Sequence, residues 1–290
     1  MSGYQIFTDA TADMSESMTF GWPSVQILPM QVHIGEENYQ YGPCGNISVD
    51  KFYSLQRSGQ FAMTSQASPD TCMRLFEPYL RDGKDILYLG FSSALSGMFH
   101  AASLAAEELR QRYPDREIMC IDTLCASVGE GFLIREVLRM QAEGMSYQDL
   151  CIWVLSNRLK VCHWFTVDTF DHLKHGGRVS ATSAVVGTML QIKPMLHVDA
   201  EGKLAVMEKP RGQKRAMEAQ LSKMKAGWMP ETGKLVVIGH ADCPEGAKLL
   251  KNHVADQFPD AEIHIANIGP IIGAHTGPGM LALIYWGNNR

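Results

Sequence analysis

The stretch DILYLGFSSALSGMFHAASLAAEELRQR, residues 85–112, carries a clear signal of the fold class. It opens with a short apolar run, residues 85–91, that is typical of a strand. It closes with residues 98–112, whose alanines, leucines and glutamates favour a helix. Between them lies the turn SSALSG, which carries three serines. A strand, a polar turn and a helix in this order form the repeating unit of a parallel α/β sheet.

The same alternation runs through the first half of the chain. Further strands are predicted at residues 4–7, 24–34 and 116–122, and further helices at residues 48–59, 68–83, 132–144 and 146–160. Pro69 and Gly83 flank the second of these helices in the usual order, while Pro78 inside it predicts a kink or an early end. We therefore predict a three-layer domain in which helices cover both faces of a parallel sheet.

The second half has a different pattern. The segment DAEG (199–202) separates two strand-like runs and predicts an antiparallel hairpin. Other strands are predicted at residues 161–167, 234–240, 262–268 and 280–286, with helices at residues 212–226 and 244–258. This combination indicates a mixed sheet. The sequence thus predicts an α/β protein of two domains, residues 1–163 with a parallel sheet and residues 164–290 with a mixed sheet.

Composition narrows the class of protein. The chain has 290 residues, 46% of them hydrophobic, and its net charge of −5 gives no broad basic surface for nucleic acid. Seven cysteines are scattered without a C-x-x-C pair, which is typical of reduced thiols in a cytoplasm. No signal peptide is recognised in MSGYQIF, and the longest apolar run, MLALIYW (280–286), is too short to span a bilayer. We predict a soluble cytoplasmic protein without a transmembrane segment.

Hydroxyl-bearing segments follow several predicted strands, at the carboxyl ends where ligands bind a parallel sheet. They are TDAT (8–11), FAMTSQASP (61–69) and GFSSALSG (90–97). A loop rich in glycine and proline, GPIIGAHTGPG (269–279), adds His275 to these candidates. Hydroxyl and imidazole groups together can donate several hydrogen bonds to one anion, and such charge-assisted bonds are strong.

Four interpretations of the serines remain open at this point. They can cap a helix; Ser93 or Ser96 can be a nucleophile with His275 as its base; the turn can bind phosphate at a helix start; or the hydroxyls and His275 can hold a carboxylate without further chemistry. A hydrolase is disfavoured because the pattern lacks a G-x-S-x-G elbow and an identified orienting acid. A nucleotide phosphate site is disfavoured because no glycine-rich lysine loop is present.

The remaining polar clusters favour structural roles. Asp9 and Asp13 of TDATAD are predicted to cap or turn the chain. His172 and His175 are three residues apart, and GHADC (239–243) places a histidine, an aspartate and a cysteine together. Neither set has the spacing of a complete metal site. We therefore predict neither a metal nor a cofactor.

Taken together, the motifs resemble those of the DegV family, bacterial fatty-acid-binding proteins. The segments that carry the resemblance are TDATAD (8–13), TSQASP (64–69), SSALSG (92–97), IDTLCASVGEG (121–131), HLKHGGRVS (172–180), IKP (192–194), KPRGQKRA (209–216) and HTGPG (275–279). Each is weak alone, but their order and spacing agree along the length of the chain. Three positions depart from the usual pattern, since Ala10 replaces a serine, Met98 replaces a threonine and Ala67 replaces the commoner proline.

The resemblance implies a fold and a function. It implies two α/β domains that hold one long-chain fatty acid in a tunnel between them, in a protein that is not itself an enzyme. The positions that match the carboxylate-binding residues of the family are Thr64, Ser93, Ser96 and His275. The carboxylate is presented to a separate ATP-dependent kinase, which makes an acyl phosphate for phospholipid synthesis. Arg178 and Arg211 match positions expected to meet the kinase or a phosphate, and transient membrane contact is expected.

Overall fold

The computed structural model describes residues 3–179 and 192–290. The strands are β1 (Tyr4–Asp9), β2 (Gln26–Leu28), β3 (Met30–Ile34), β4 (Glu37–Tyr41), β5 (Ala62–Ser65), β6 (Asp85–Gly90), β7 (Ile118–Asp122), β8 (Val161–Thr166), β9 (Met195–Val198), β10 (Leu204–Glu208), β11 (Leu235–His240), β12 (Glu262–Asn267) and β13 (Leu281–Trp286). The helices are α1 (Glu16–Thr19), α2 (Val49–Arg57), α3 (Pro69–Arg81), α4 (Met98–Arg112), α5 (Val128–Ala142), α6 (Tyr147–Asn157), α7 (Asp171–His175), α8 (Gln213–Gly227), α9 (Pro244–Gln257) and α10 (Pro270–Thr276). Within these described ranges, no helix has both the length and the apolar character needed to cross a bilayer.

Four strands form the predicted parallel sheet, in the order β2-β1-β6-β7. On β1, Phe7 packs edge-on against Phe76 and Tyr79 of α3, with ring centroids 4.8 and 5.2 Å apart. The next residue, Thr8, donates a 2.9 Å hydrogen bond to Glu130 of α5. Because successive side chains of a strand point to opposite faces, α3 and α5 lie on opposite faces of the sheet. The predicted three-layer arrangement is confirmed.

A second sheet, which the sequence pattern did not predict, is antiparallel and has the order β4-β3-β5. It arises because the apolar run 24–34 is two strands: Pro29, which lacks a backbone N–H, lies between β2 and β3. The first of these strands pairs with β1, and the second pairs with β4 and β5. Thr64 therefore lies within β5, and the expected loop at the carboxyl end of a parallel strand is wrong for this residue.

The third sheet is mixed and has the order β10-β9-β8-β13-β11-β12. Among its described ladders, β11 and β12 pair in parallel and the others are antiparallel. The predicted hairpin is confirmed, since the Asp199 N–H donates to the Lys203 carbonyl at 2.9 Å and Gly202 turns the chain with a φ of 77°. The sheet begins with β8 at Val161, just ahead of the predicted domain boundary at residue 163. The boundary itself stays a prediction.

Helix α5 packs against both large sheets. Its Glu130 is bonded to β1, as described above, and its Phe132 makes an edge contact with Trp286 of β13 at 4.9 Å between ring centroids. Its first residue, Val128, lies so close to Gly239 of β11 that a Cβ at position 239 would be 2.7 Å from the valine side chain. Glycine permits this approach because it carries no side chain. Helix α5 therefore fixes how the parallel and mixed sheets meet.

Of the two outcomes predicted for Pro78, an early end of α3 is wrong, and a kink stays a prediction. The helix continues through Arg81 and stops just before the predicted glycine, Gly83. Proline removes the hydrogen bond to the carbonyl four residues earlier, that of Arg74. Both residues are exposed, so water can bind this carbonyl and the loss is tolerated.

Residues 269–279, predicted as a loop, contain the short helix α10. Pro270 occupies its first turn, and Gly277, with a φ of 72°, follows its last residue. A proline at the start and a left-handed glycine at the end are the usual limits of a helix. His275 therefore lies in the last turn of a helix, which holds its backbone in place.

Two buried carboxyl groups, those of Asp9 and Glu130, contact a single hydroxyl. The Thr11 Oγ1 atom lies 2.8 Å from a Glu130 oxygen and also contacts an Asp9 oxygen. A hydroxyl has one hydrogen to donate, so one carboxyl must supply the second hydrogen. Asp9 also accepts hydrogen bonds from the Tyr88 hydroxyl and the backbone N–H groups of Thr11 and Phe91, which favour its charged form. Glu130 is therefore the protonated member, and burial, together with the Asp9 charge, raises its pKa well above the usual value.

We expect Glu130→Gln to flatten the pH dependence of stability. A carboxyl with a raised folded-state pKa stabilises the fold below its unfolded pKa of about 4.3, and that contribution is lost as the pH rises toward the folded pKa. This group should lower the wild-type free energy of unfolding by up to about 1.4 kcal/mol per pH unit in that window. Glutamine offers Thr11 an N–H donor at every pH, so the variant should lose this slope.

Urea unfolding at several pH values measures the two slopes. Glu143→Gln, at an exposed position that follows α5, is the matched control and should keep the wild-type slope. Equal slopes for the wild type and Glu130→Gln would contradict the assignment of the proton.

Candidate functional site

A cavity lies where β3, β5 and the mixed sheet approach the loops that follow β1 and β6. Most of the lining is apolar and includes Met30, Phe91, Val128, Phe165, Ile272 and Ile284. Such walls suit an apolar molecule, whose burial is favourable in proportion to the surface removed from water.

Polar side chains from four separate segments meet in this lining. Thr64 of β5 and His275 of α10 are joined by a 2.8 Å contact between Oγ1 and Nε2. Ser96, from the turn before α4, and Arg178, which follows α7, line the same cavity. The structure thus brings together three of the four residues expected at a carboxylate site, and adds an arginine to them.

The His275 ring is held between Thr64 and Gly176. A Cβ at Gly176 would lie 2.0 Å from Nδ1, so the ring fits here because this residue is glycine. Nδ1 is buried and has no hydrogen-bond partner within the described ranges. Burial, reinforced by the nearby Arg178 charge, lowers the pKa of His275 to about 3, so the ring is neutral at neutral pH. A carboxylate bound beside it would act in the opposite direction and raise that pKa.

Arg178 ties two of the motif segments together. Its Nε donates to the Leu95 carbonyl at 3.2 Å, and its Nη1 donates to the Gly176 carbonyl. It lines the cavity and also an outer groove that includes Gly177 and Lys203. The residue expected at an encounter with a kinase or a phosphate therefore lies at the boundary between the cavity and the surface.

Other polar residues of the lining already have partners. The hydroxyl of Ser127 donates to Asp13 at 2.7 Å, and that of Thr276 donates to the Ile272 carbonyl at 3.1 Å. His163 contacts the Val161 carbonyl through Nδ1 and the Ala126 N–H through Nε2. By contrast, Ser96 Oγ accepts from the Met98 N–H, and no acceptor for its hydrogen is found in the part of the chain described. Hydrogen-bonding capacity is therefore left at the Thr64, Ser96 and His275 end.

Two residues expected at the site lie outside the cavity lining. Ser93 is exposed, and its N–H faces the Asp122 carboxylate at 3.3 Å. Arg211 is exposed in the segment between β10 and α8, where it forms an isolated bridge with Ile192. Within residues 3–179 and 192–290, no group of three His, Cys, Asp or Glu side chains is placed to hold a metal ion.

Sequence reasoning missed Thr11, Ser127, His163 and Thr276 as lining residues. Ser127 lies in the IDTLCASVGEG motif, so its segment was noticed but its role was not. Its φ of 55° is in the left-handed region, which is unusual for a residue other than glycine. The sequence carries no signal for that conformation, which helps to place the side chain in the lining.

Comparisons with known proteins agree with this architecture. The family model described as "Uncharacterised protein, DegV family" matches residues 4–288. A DegV domain-containing protein of Clostridium perfringens is 36% identical over 290 residues, covering 100% of this chain and 99% of its own length.

Solved structures give the same result. A DegV lipid-binding protein of Thermotoga maritima is 26% identical with a TM-score of 0.82, and each chain is fully covered. A fatty-acid-binding DegV protein of Thermus thermophilus is 27% identical with a TM-score of 0.86, covering 98% of this chain and 99% of its own. The Streptococcus pneumoniae fatty acid kinase B3 protein loaded with linoleic acid, at 21% identity, shares the fold with a TM-score of 0.87, covering 99% and 100%. On these matches, the chain belongs to the DegV family.

Proposed function

We propose that this protein binds one long-chain fatty acid in the cavity and presents its carboxylate to a separate ATP-dependent kinase, which forms an acyl phosphate. The observation that carries the proposal is the distribution of hydrogen-bonding capacity along the cavity. The walls are apolar or already paired, while Ser96 and the Thr64–His275 pair keep hydrogens to donate to an anion at one end. Thr64 and the neutral His275 have one hydrogen each, and their mutual bond uses one of the two. Arg178 adds a positive charge beside them.

The energetics favour a ligand of this shape. Burying a lone carboxylate is costly unless hydrogen bonds replace its water. An acyl chain recovers about 0.8 kcal/mol for each CH₂ removed from water, so sixteen carbons supply on the order of 10 kcal/mol before the costs of association. The polar end then contributes orientation, because it fixes which end of the ligand faces the groove.

The comparisons support the ligand class more than the partner. The Thermus thermophilus and Thermotoga maritima neighbours are described as binding fatty acid or lipid. The kinase step, the cytoplasmic location, the transient membrane contact and the link to phospholipid synthesis rest on the family resemblance of the motifs. In this proposal Arg211 contacts the kinase, while Arg178 contributes to the cavity. Ser93 is not among the described residues that line the cavity, so its role at the carboxylate stays a prediction.

A serine hydrolase has less support from the geometry. The Nε2 atom of His275 contacts Thr64 and neither Ser93 nor Ser96, and its Nδ1 faces Gly176 where a triad would place a carboxylate. A small anion such as phosphate would occupy only the polar end of the cavity, and the apolar walls would then contact no ligand. Both alternatives therefore explain less of the cavity than a fatty acid does.

We expect the purified protein to contain a fatty acid at close to one molecule per chain. The physical reason is the large apolar surface that the ligand removes from water. Mass spectrometry of the intact complex and of an organic extract measures the stoichiometry and the acyl chains. Protein from a lipid-replete host that yields no lipid, and that takes up neither palmitate nor oleate, would contradict the proposal.

His275→Ala is expected to weaken fatty-acid binding by about 1.5–3 kcal/mol, the usual range for a hydrogen bond to a charged group. The variant removes one donor and leaves Thr64 and Ser96 in place. Calorimetric titration with palmitate measures the change, and His100→Ala, on the exposed side of α4, is the control. An affinity equal to that of the control would remove His275 from the binding site.

Arg178→Ala and Arg211→Glu are expected to have different effects. The first removes a cation from the cavity lining and should weaken fatty-acid binding about tenfold or more. The second changes an exposed residue and should leave binding within about 0.5 kcal/mol, while lowering acyl-phosphate yield with the cognate kinase. Arg215→Glu, exposed on α8, is the charge-matched control. Wild-type binding by Arg178→Ala would restrict that residue to the kinase encounter.

A further inference from the structure

One carboxylate, that of Asp13, joins the first residues of two helices that line the cavity. Its Oδ2 accepts a 2.7 Å hydrogen bond from the Ser127 hydroxyl, and its Oδ1 accepts a 2.8 Å hydrogen bond from the Gly269 N–H. Ser127 is the N-cap of α5, and Gly269 is the N-cap of α10. Helix α5 supplies Val128 to the lining, and α10 supplies His275. One side chain therefore links the two walls directly.

The backbone at these contacts is closely specified. Asp13 has a φ of 42° and Ser127 a φ of 55°, so both side chains of the hydroxyl–carboxylate bond come from left-handed backbone. Such conformations are unfavourable for residues other than glycine and persist where the surrounding structure determines them. At Gly269, a Cβ would lie 2.5 Å from Asp13 Oδ1 and 2.7 Å from the Tyr41 hydroxyl. Three separate segments are thus shaped around this carboxylate.

The charge state of Asp13 is set by its neighbours. The titratable groups that face it are Asp9 at the end of β1, Glu130 on α5, Tyr41 on β4 and Tyr53 on α2. Burial raises the pKa of Asp13 to about 7; the bonds from Ser127 and Gly269 oppose this, and the Asp9 charge adds to it. The phenols stay neutral near this pH, because burial raises both of their pKa values. Protonation of Asp13 would replace two charge-assisted hydrogen bonds with neutral ones, which are about half as strong.

Helix α10 has a second attachment that does not depend on this charge. Gln56 of α2 donates a 3.0 Å hydrogen bond to the Gly273 carbonyl in the middle of α10, and the Tyr53 hydroxyl donates to the Ile268 carbonyl at 2.8 Å. Weaker bonds at Asp13 would therefore loosen the N-cap Gly269, while Ile268 before it and Gly273 in the middle of the helix stay attached. Gln56, which also contacts His172 Nδ1 at 3.4 Å, offers a way to loosen the middle of α10 without replacing a titratable residue.

We propose that Asp13 is a positioning residue: when ionised it holds the starts of α5 and α10 together and retains the bound fatty acid, and when protonated it lets the ligand leave faster. The inference rests on the proposed fatty-acid site and adds a means of controlling exchange from that site. Ionisation is favoured at higher pH, so retention should increase as the pH rises through the titration of Asp13. Asp13→Asn represents the protonated state, because an amide offers one acceptor and one donor in the same shape and asparagine tolerates the left-handed backbone.

Stopped-flow displacement of cis-parinaric acid, a fluorescent long-chain fatty acid, measures the dissociation rate. From about pH 8 to about pH 6, on either side of the pKa of about 7, the wild-type rate should rise about tenfold. Asp13→Asn should show the faster rate throughout and lose the pH dependence. Gln56→Met should raise the rate but keep the wild-type pH dependence. Ser127→Ala, which removes one of the two bonds, should give an intermediate dependence.

Hydrogen exchange of ligand-free protein tests the same contact without the probe. Amides of residues 269–276 should exchange faster in Asp13→Asn than in the wild type at about pH 8, where Asp13 is ionised, and equally fast at about pH 6 after correction for intrinsic rates. Asp13→Asn that keeps the wild-type pH dependence, or the wild-type exchange, would overturn the proposal. If Asp13→Asn and the wild type differ in exchange as expected but the wild-type protein binds no fatty acid, only the proposed function is contradicted.

Discussion

The packing of α5 against two sheets at once determines how the other elements can be arranged. On one side Glu130 is bonded to Thr8 of the parallel sheet, and on the other Val128 meets Gly239 of the mixed sheet. A helix held on both sides cannot move relative to either sheet without breaking close contacts, because protein interiors are packed to crystal-like density. The cavity is the space left beside the first turn of this helix, so its walls inherit that fixed geometry.

The polar end of the cavity is prepared for an anion without carrying one of its own. His275 is neutral, and its Nδ1 has no partner within the described ranges. A neutral ring costs less to bury than an imidazolium, so this side chain adds no isolated buried charge to the cavity. In the proposed complex, Arg178 supplies the charge that balances the carboxylate, and its guanidinium reaches the boundary of the surface groove. The site therefore combines buried neutral donors with one cation that keeps access to water.

Much of the fold could be predicted from local patterns. The helix expected at residues 98–112 is α4, Met98–Arg112, and the DAEG hairpin joins β9 to β10, because caps, turns and periodicity act over a few residues. The small antiparallel sheet was missed because one proline divides an apolar run into two strands, and these two strands pair with strands of different sheets. Helix α10 was missed because its glycines and prolines are also typical of loops.

The candidate site was predictable in its segments but less so in its atoms. Within SSALSG, Ser92 is buried and donates to the Gly202 carbonyl, Ser93 is exposed, and Ser96 reaches the cavity. These three directions follow from the turn that the Ser96 N–H closes onto the Ser92 carbonyl, which composition does not specify. The Thr64–His275 contact joins residues 211 positions apart, and the Asp13–Gly269 contact joins residues 256 apart. Contacts between residues so far apart in the chain depend on how whole sheets pack against each other. Local sequence patterns carry no information about that packing.

Carbon-13 NMR of palmitate labelled at its carboxyl carbon reports where the bound carboxylate lies. We predict one resonance for the bound carboxyl group. This group should stay ionised to lower pH than the free acid, because Arg178 and the hydroxyl donors favour its charged form. The resonance should shift in Thr64→Val, which removes one donor without changing the shape of the side chain much. A bound carboxyl that titrates like the free acid and does not respond to Thr64→Val would place the head group in solvent and contradict the account.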